Sequence, residues 1–238
     1  MPTRNRENPK NKIKKSVTVV KKYRLFIWMT ILALLAGLIN AISVFGYDGT
    51  TVSHVTGLIS KFSISVSTGD IKGCLDIFLV ILAFFAGAVT AGIITGERAF
   101  HLHTVYGFII IAVGVLVLLP IVLAPAYSVV LLAFLMGLQN GMVVSFNGVL
   151  VRTTHMTGNL TDFGVYIGYW IRGKKEKPIY GMVPAVTLLG FFVGGIIGIL
   201  LYKLIGNYVF VATSAVYILL GFIYFILQKS CKDKEEAT

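Results

Sequence analysis

Two short segments, His54-Val55-Thr56-Gly57 and His155-Met156-Thr157-Gly158, gather residue types that can hold an ion or a polar solute. Histidine offers ring nitrogens, threonine a hydroxyl, and glycine a backbone that a ligand can approach closely. Each segment lies in a polar stretch that interrupts long apolar runs. Polar side chains at membrane depth cost free energy, so they usually line a cavity or meet one another. A helix over residues 154–171 would put His155, Asn159, Asp162 and Tyr166 on one face, a polar stripe with one titratable acid. In the first half Lys61 takes the place of Asp162, which would allow an intramembrane ion pair or a proton-linked switch. Asn40 and Asn140 fall inside apolar runs and would line a pathway. The candidate binding set is therefore Asn40, His54, Thr56, Gly57, Lys61, Asn140, His155, Thr157, Gly158, Asn159 and Asp162. The plainer alternative makes both segments solvated loops with capping Thr and turn Gly, and gives each Asn an interhelical hydrogen bond of about 1 kcal/mol.

Other chemistries lack their residues. The sequence has no GxSxG, P-loop, Rossmann glycine set or HExxH, and nothing pairs a nucleophile with a base, so no enzyme is expected. His101 and His103 flank the start of the third apolar run, beside Glu97 and Arg98, and read as interface residues. Cys74 and Cys231 form no CxxC or Cys/His cluster, so neither a metal nor another cofactor is expected.

The elements that must position these residues are membrane spans. Of the 238 residues 56% are hydrophobic and 13% charged, and mean hydropathy is +0.85. A soluble domain carries about twice that charge fraction. The net charge of +11 does not imply nucleic acid, because nine of the Lys and Arg lie in the first 24 residues and most others flank apolar runs. Basic flanks are topology signals, and the expected partner is a lipid bilayer. The uncharged run from Leu25 to Tyr47, 23 residues, is too long for a signal-peptide core and reads as a first span. Further spans fall at 75–96, 103–123, 127–149, 179–202 and 205–227, with Pro120 and Pro125 dividing the long uncharged stretch from Ala99 to Val151. Residues 1–22 read as a disordered basic tail and 229–238 as a short charged one. Six spans place 18 Lys and Arg on one side and three on the other, which puts both termini in the cytoplasm. Eight crossings, with both polar stretches spanning, would give a similar bias. Six is preferred because the polar stretches are too hydrophilic to face lipid.

The halves repeat. Leu32, Ala33, Leu35, Gly37, Leu38, Asn40 and Val44 recur 100 positions later as Leu132, Ala133, Leu135, Gly137, Leu138, Asn140 and Val144. One position of slippage then aligns the two His-x-Thr-Gly segments, and Phe84-Phe85-Ala86-Gly87 matches Phe191-Phe192-Val193-Gly194. The units are 23–126 and 127–228. With three spans each they face opposite ways, a recurrent plan among secondary transporters, whereas eight crossings would make them parallel. The rows Ala83, Gly87, Ala91 and Gly190, Gly194, Gly198 predict close packing of the second and fifth spans, on each other as one option, with plain bundle packing the favoured reading.

Gly137-Leu138-Gln139-Asn140-Gly141, followed by Thr153-Thr154-His155-Met156-Thr157-Gly158-Asn159-Leu160, resembles the YoaK family of uncharacterised bacterial membrane proteins, with a weaker copy at Val55-Thr56-Gly57. The likeness covers roughly residues 25–228. It implies about six spans, a cytoplasmic basic tail and a bacterial cell membrane, and it names no substrate. Where the family pattern carries Asn after the first Thr-Gly, this chain has Leu58. The expected protein is an all-α membrane bundle of six spans in two three-helix repeats, each with a re-entrant or broken polar segment. It would act as a secondary transporter or permease for a small solute or ion, with a membrane scaffold or regulator as the alternative. A homo-oligomer is compatible with these features.

Overall fold

The computed structural model describes residues 9–95, 104–142, 144–146, 149–174 and 178–236. His101, His103, Glu97, Arg98 and Asn147 lie outside them. Eight α-helices make up the described residues: α1 (Pro9–Gly46), α2 (Val55–Thr68), α3 (Ile71–Thr95), α4 (Thr104–Leu116), α5 (Pro125–Gly141), α6 (Met156–Ile171), α7 (Ile179–Ile205) and α8 (Val209–Glu236). Strands β1 (Val144–Phe146) and β2 (Val149–Val151) pair antiparallel between α5 and α6, with Val144 opposite Val151.

Four stretches are long and apolar enough to cross a membrane: Phe26–Gly46, Ile71–Thr95, Thr104–Ile121 and Tyr180–Ile226. The last runs 47 residues, about twice the ~20 that a crossing needs, and holds two helices broken at Gly206, where φ is 58°. The apolar helix Pro125–Gly141 is shorter. The protein is thus a helical membrane protein.

Two expectations need correction. The tail read as disordered over 1–22 is helical from Pro9, continuous with the first span. Once a span has nucleated a helix, each added residue costs little, and the Lys-rich approach carries no breaker after Pro9. The fourth span does not run to residue 149. It stops at Gly141, and the β-branched run that follows forms the hairpin instead.

Packing is set by glycines. At Gly37 an added Cβ would collide with the Phe191 carbonyl, and at Gly194 with that of Leu34, so α1 lies directly on α7. Gly137 meets the Phe84 carbonyl and Gly87 that of Phe134, so α3 lies on α5. The glycine-rich second and fifth spans therefore seat on the fourth and first, which rules out the option that they pack on each other. Contacts of Thr30 with Gly190 and Leu38 with Gly198 make α1 and α7 run in the same direction. On α4 and α8, Gly114 meets Ile218 and Gly221 meets Ile111, so these two run in opposite directions. The core lies along these crossings, with Leu35, Ile39, Ile42, Ile110, Leu132, Leu135, Phe210 and Tyr217 fully buried.

Candidate functional site

Both polar segments fold back into the bundle beside the helix they have just left. After α1 ends at Gly46 the chain returns until Val52 and Ser53 lie beside Asn40. The Asn40 Oδ1 accepts hydrogen bonds from Val52 N–H (3.2 Å), Ser53 N–H (3.2 Å) and Ser53 Oγ–H (2.9 Å). All three residues are buried. One carbonyl oxygen thus satisfies two backbone donors that would otherwise be stranded away from water. The turn is closed further by Ser43 Oγ–H to the Thr50 carbonyl at 2.8 Å. His54 follows, with Ser53 Oγ 3.2 Å from its Nδ1 and its ring edge-on to Phe191 of α7, centroids 5.5 Å apart. Helix α2 then heads back toward the end of α1, because Lys61 Nζ donates to the Gly49 carbonyl at 3.0 Å.

The second segment is held by a different residue. Gln139 Nε2 donates to the Leu32 carbonyl of α1 (3.0 Å) and to Thr153 Oγ1 (2.9 Å), while Tyr217 Oη–H of α8 donates to Gln139 Oε1 (2.5 Å). Gln139 and Tyr217 are 2% and 0% exposed, so the cluster is dry. Sequence reading passed over Gln139. Its signal was a primary amide inside an apolar helix, costly unless fully paired. At the matching positions of the first half stand Ile39, Val52 and Ile110, all apolar. The network therefore belongs to one half alone. Gln139→Leu strands the Tyr217 hydroxyl and should lower unfolding stability in detergent by about 2 kcal/mol, whereas Gln139→Leu with Tyr217→Phe should recover most of the loss. Chemical denaturation of the three proteins measures this.

The predicted residues divide as follows. Asn40 and His54 come together at the first turn through Ser53. Thr56 and Gly57 are exposed on α2, and no neighbour approaches the Gly57 Cβ position. His155 is exposed and its ring folds over Gly158 at the start of its own helix. Thr157 is exposed, and Asn159 is buried with its Nδ2 3.5 Å from the Arg152 carbonyl. Asp162 is exposed, so the stripe expected on α6 splits between inside and outside. Lys61 and Asp162 form no ion pair among the described residues; α2 packs on α3, and α6 on α7. Asn140 carries a buried Oδ1 without a hydrogen-bond partner, and Arg152 a buried Nε in the same condition. No group of three His, Cys, Asp or Glu among the described residues could hold a metal.

The two turns stop short of each other. Thr153 reaches α1 through Gln139 at Leu32, and Ser53 reaches it at Asn40. Eight residues of α1 separate these contacts, about 12 Å at 1.5 Å per residue. Between them α1 carries Leu35, Ala36, Leu38 and Ile39, all buried.

Comparison with known proteins gives a family and no activity. A family model described as a protein of unknown function, DUF1275, matches residues 28–224. A UPF0700 transmembrane protein of Rhizobium meliloti is 34% identical over 83 residues, which cover 35% of this chain and 36% of that relative's length. No solved structure matches. These matches uphold the resemblance to an uncharacterised family of bacterial membrane proteins.

Proposed function

The chain belongs to the DUF1275 family of transmembrane proteins of unknown function, and from that premise we propose that it is a secondary transporter or permease for a small solute or ion, built from two inverted repeats of three spans. The observation that carries the reading is the pair of re-entrant turns. They meet α1 at Asn40 and Leu32, points about 12 Å apart along its axis. Paired broken segments in matching halves are the arrangement through which inverted-repeat transporters bind their cargo.

Three features support six crossings over eight. Helices α2 and α6 have 14 and 16 residues, about 21 and 24 Å, shorter than a ~30 Å hydrocarbon core. The Lys61–Gly49 bond turns α2 back to the side it came from. If both short helices crossed, α4 and α8 would be the fourth and eighth crossings and point the same way; they point opposite ways, as third and sixth crossings must. The repeats are then units 23–126 and 127–228. Their pseudo-symmetry is supported by the exchange of contacts, in which Gly37 on Phe191 corresponds to Gly137 on Phe84, and Gly194 on Leu34 to Gly87 on Phe134. The charge bias places both termini in the cytoplasm of a bacterial cell.

A membrane scaffold or regulator is the second reading. It is favoured by the separation of the two turns and by the exposure of Thr56 and Thr157. Proteoliposome uptake across a panel of ions and small polar solutes separates the two. The transporter reading expects flux above empty liposomes for at least one solute, reduced about tenfold or more by His155→Ala or Asp162→Asn. Absence of flux across the panel removes it. A cysteine at position 61 should be labelled by an impermeant reagent from the outside alone; labelling from the cytoplasmic face would overturn six crossings.

A further inference from the structure

The matched halves allow an internal control on where a ligand sits. The first turn is complete without one: Asn40 Oδ1 is saturated by Val52 and Ser53, and Lys61 of α2 lies outside the turn on the Gly49 carbonyl. At the second turn the matching atoms are unfilled. Asn140 Oδ1 and Arg152 Nε are both buried and neither has a partner. Arg152 replaces Thr51 of the first half, so a guanidinium stands where the repeat carries a neutral hydroxyl.

The surroundings hold this group at membrane depth. The Gln139–Thr153 bond draws the backbone neighbours Asn140 and Arg152 to the same level, and Gln139 in turn touches Leu32, about 9 Å inside the span that begins at Phe26. Asn159, 7% exposed, approaches the Arg152 carbonyl from the first turn of α6. No carboxylate pairs with Arg152 among the described residues; Asp162, on the same helix as Asn159, is exposed. Arg152 is half-buried with its Nε shut away and no anion beside it, and Arg is the side chain best suited to take a planar oxyanion. The Asn140 amide has no bond that fixes its orientation, so turning it over presents Nδ2 as a second donor.

We propose that Arg152 and Asn140, with Asn159 beside them, form an oxyanion site in the second turn, filled by a carboxylate or phosphate group. The amino end of α6 opens next to it, and its partial positive charge acts in the same direction. The site rests on the two-turn reading above and names the chemical class that the second turn receives. The first turn is the structural half of the pair.

The same oxyanion could arrive free or on a lipid headgroup, so the test has two arms. The full chain in nanodiscs of zwitterionic lipid is titrated with acetate, inorganic phosphate and, as control, tetramethylammonium, and the thermal midpoint is followed. In the second arm the discs contain phosphatidylglycerol and no added oxyanion. The site expects saturable stabilisation by acetate or phosphate in the first arm, or by the anionic lipid in the second. In either case Arg152→Gln weakens half-saturation at least about tenfold and Arg152→Lys weakens it less. Arg152→Gln is also expected to fold, since it removes an unpaired charge from a half-buried position. If neither arm gives a saturable shift, or if Arg152→Gln responds like the wild type, the site is overturned. Saturable binding with no flux in proteoliposomes upholds the site and removes the transport reading; flux that persists unchanged in Arg152→Gln, without anion binding, does the reverse.

Discussion

Gly37→Leu should leave little folded protein. Its added atoms would have to pass through the Phe191 carbonyl, and helix backbones that touch cannot part by a few tenths of an ångström without opening the whole α1–α7 contact. Overpacking a well-filled site costs about 1–3 kcal/mol where side chains can yield; where backbone blocks the way the cost should exceed about 3 kcal/mol. The expected result is loss of the monodisperse peak in size-exclusion chromatography after detergent extraction. Gly137→Leu, against the Phe84 carbonyl, should do the same, because the two positions correspond. Gly164→Ala on α6 supplies the control. Nothing lies within 4 Å of its Cβ position, so it should be neutral or raise stability by up to about 1 kcal/mol. Equal damage from all three substitutions would mean that the protein is intolerant of change in general, and the crossings would lose their special standing.

Asn40→Leu and Asn140→Leu should differ sharply although the residues stand at matching positions of similar stretches of sequence. Removing Asn40 strands the N–H groups of Val52 and Ser53 in the interior, and each unmet donor costs about 1–3 kcal/mol. The expected loss is about 2–6 kcal/mol. Removing Asn140 takes away an acceptor that has no donor, so in buffer free of oxyanions the change should lie within about 1 kcal/mol. Denaturant titration in the same detergent compares the two directly. Similar losses would show that Asn140 has partners and that the second turn is closed like the first.

Much of the fold was legible in the chain because membranes impose simple rules. Run lengths and prolines locate the apolar helices, and the recurrence of Asn and His-x-Thr-Gly marks both turns. What failed to show has physical reasons. The run from Met142 to Val151 is as apolar as a span, and hydropathy cannot tell a buried hairpin from a helix. The glycine rows announced close approach but not the partner, since a row of small residues fits any neighbour of similar shape. The role of Gln139 does not show in the sequence, because its three bonds join elements as distant as Leu32 and Tyr217. Arg152 was counted only as one more topological charge. Its isolation from every described carboxylate is a fact of three dimensions.

The crossings have a consequence for how the chain is made. Helix α1 is seated on α7 and α3 on α5, so each half keeps its closest backbone contacts in the other. When the ribosome has delivered α1 to α4, the glycine faces of α1 and α3 have no mates and must wait in lipid for the rest of the chain. Helix α3 finds its mate when α5 arrives, but α1 must wait for α7, and a protein truncated before residue 179 would leave α1 inserted with its glycine face open to membrane proteases.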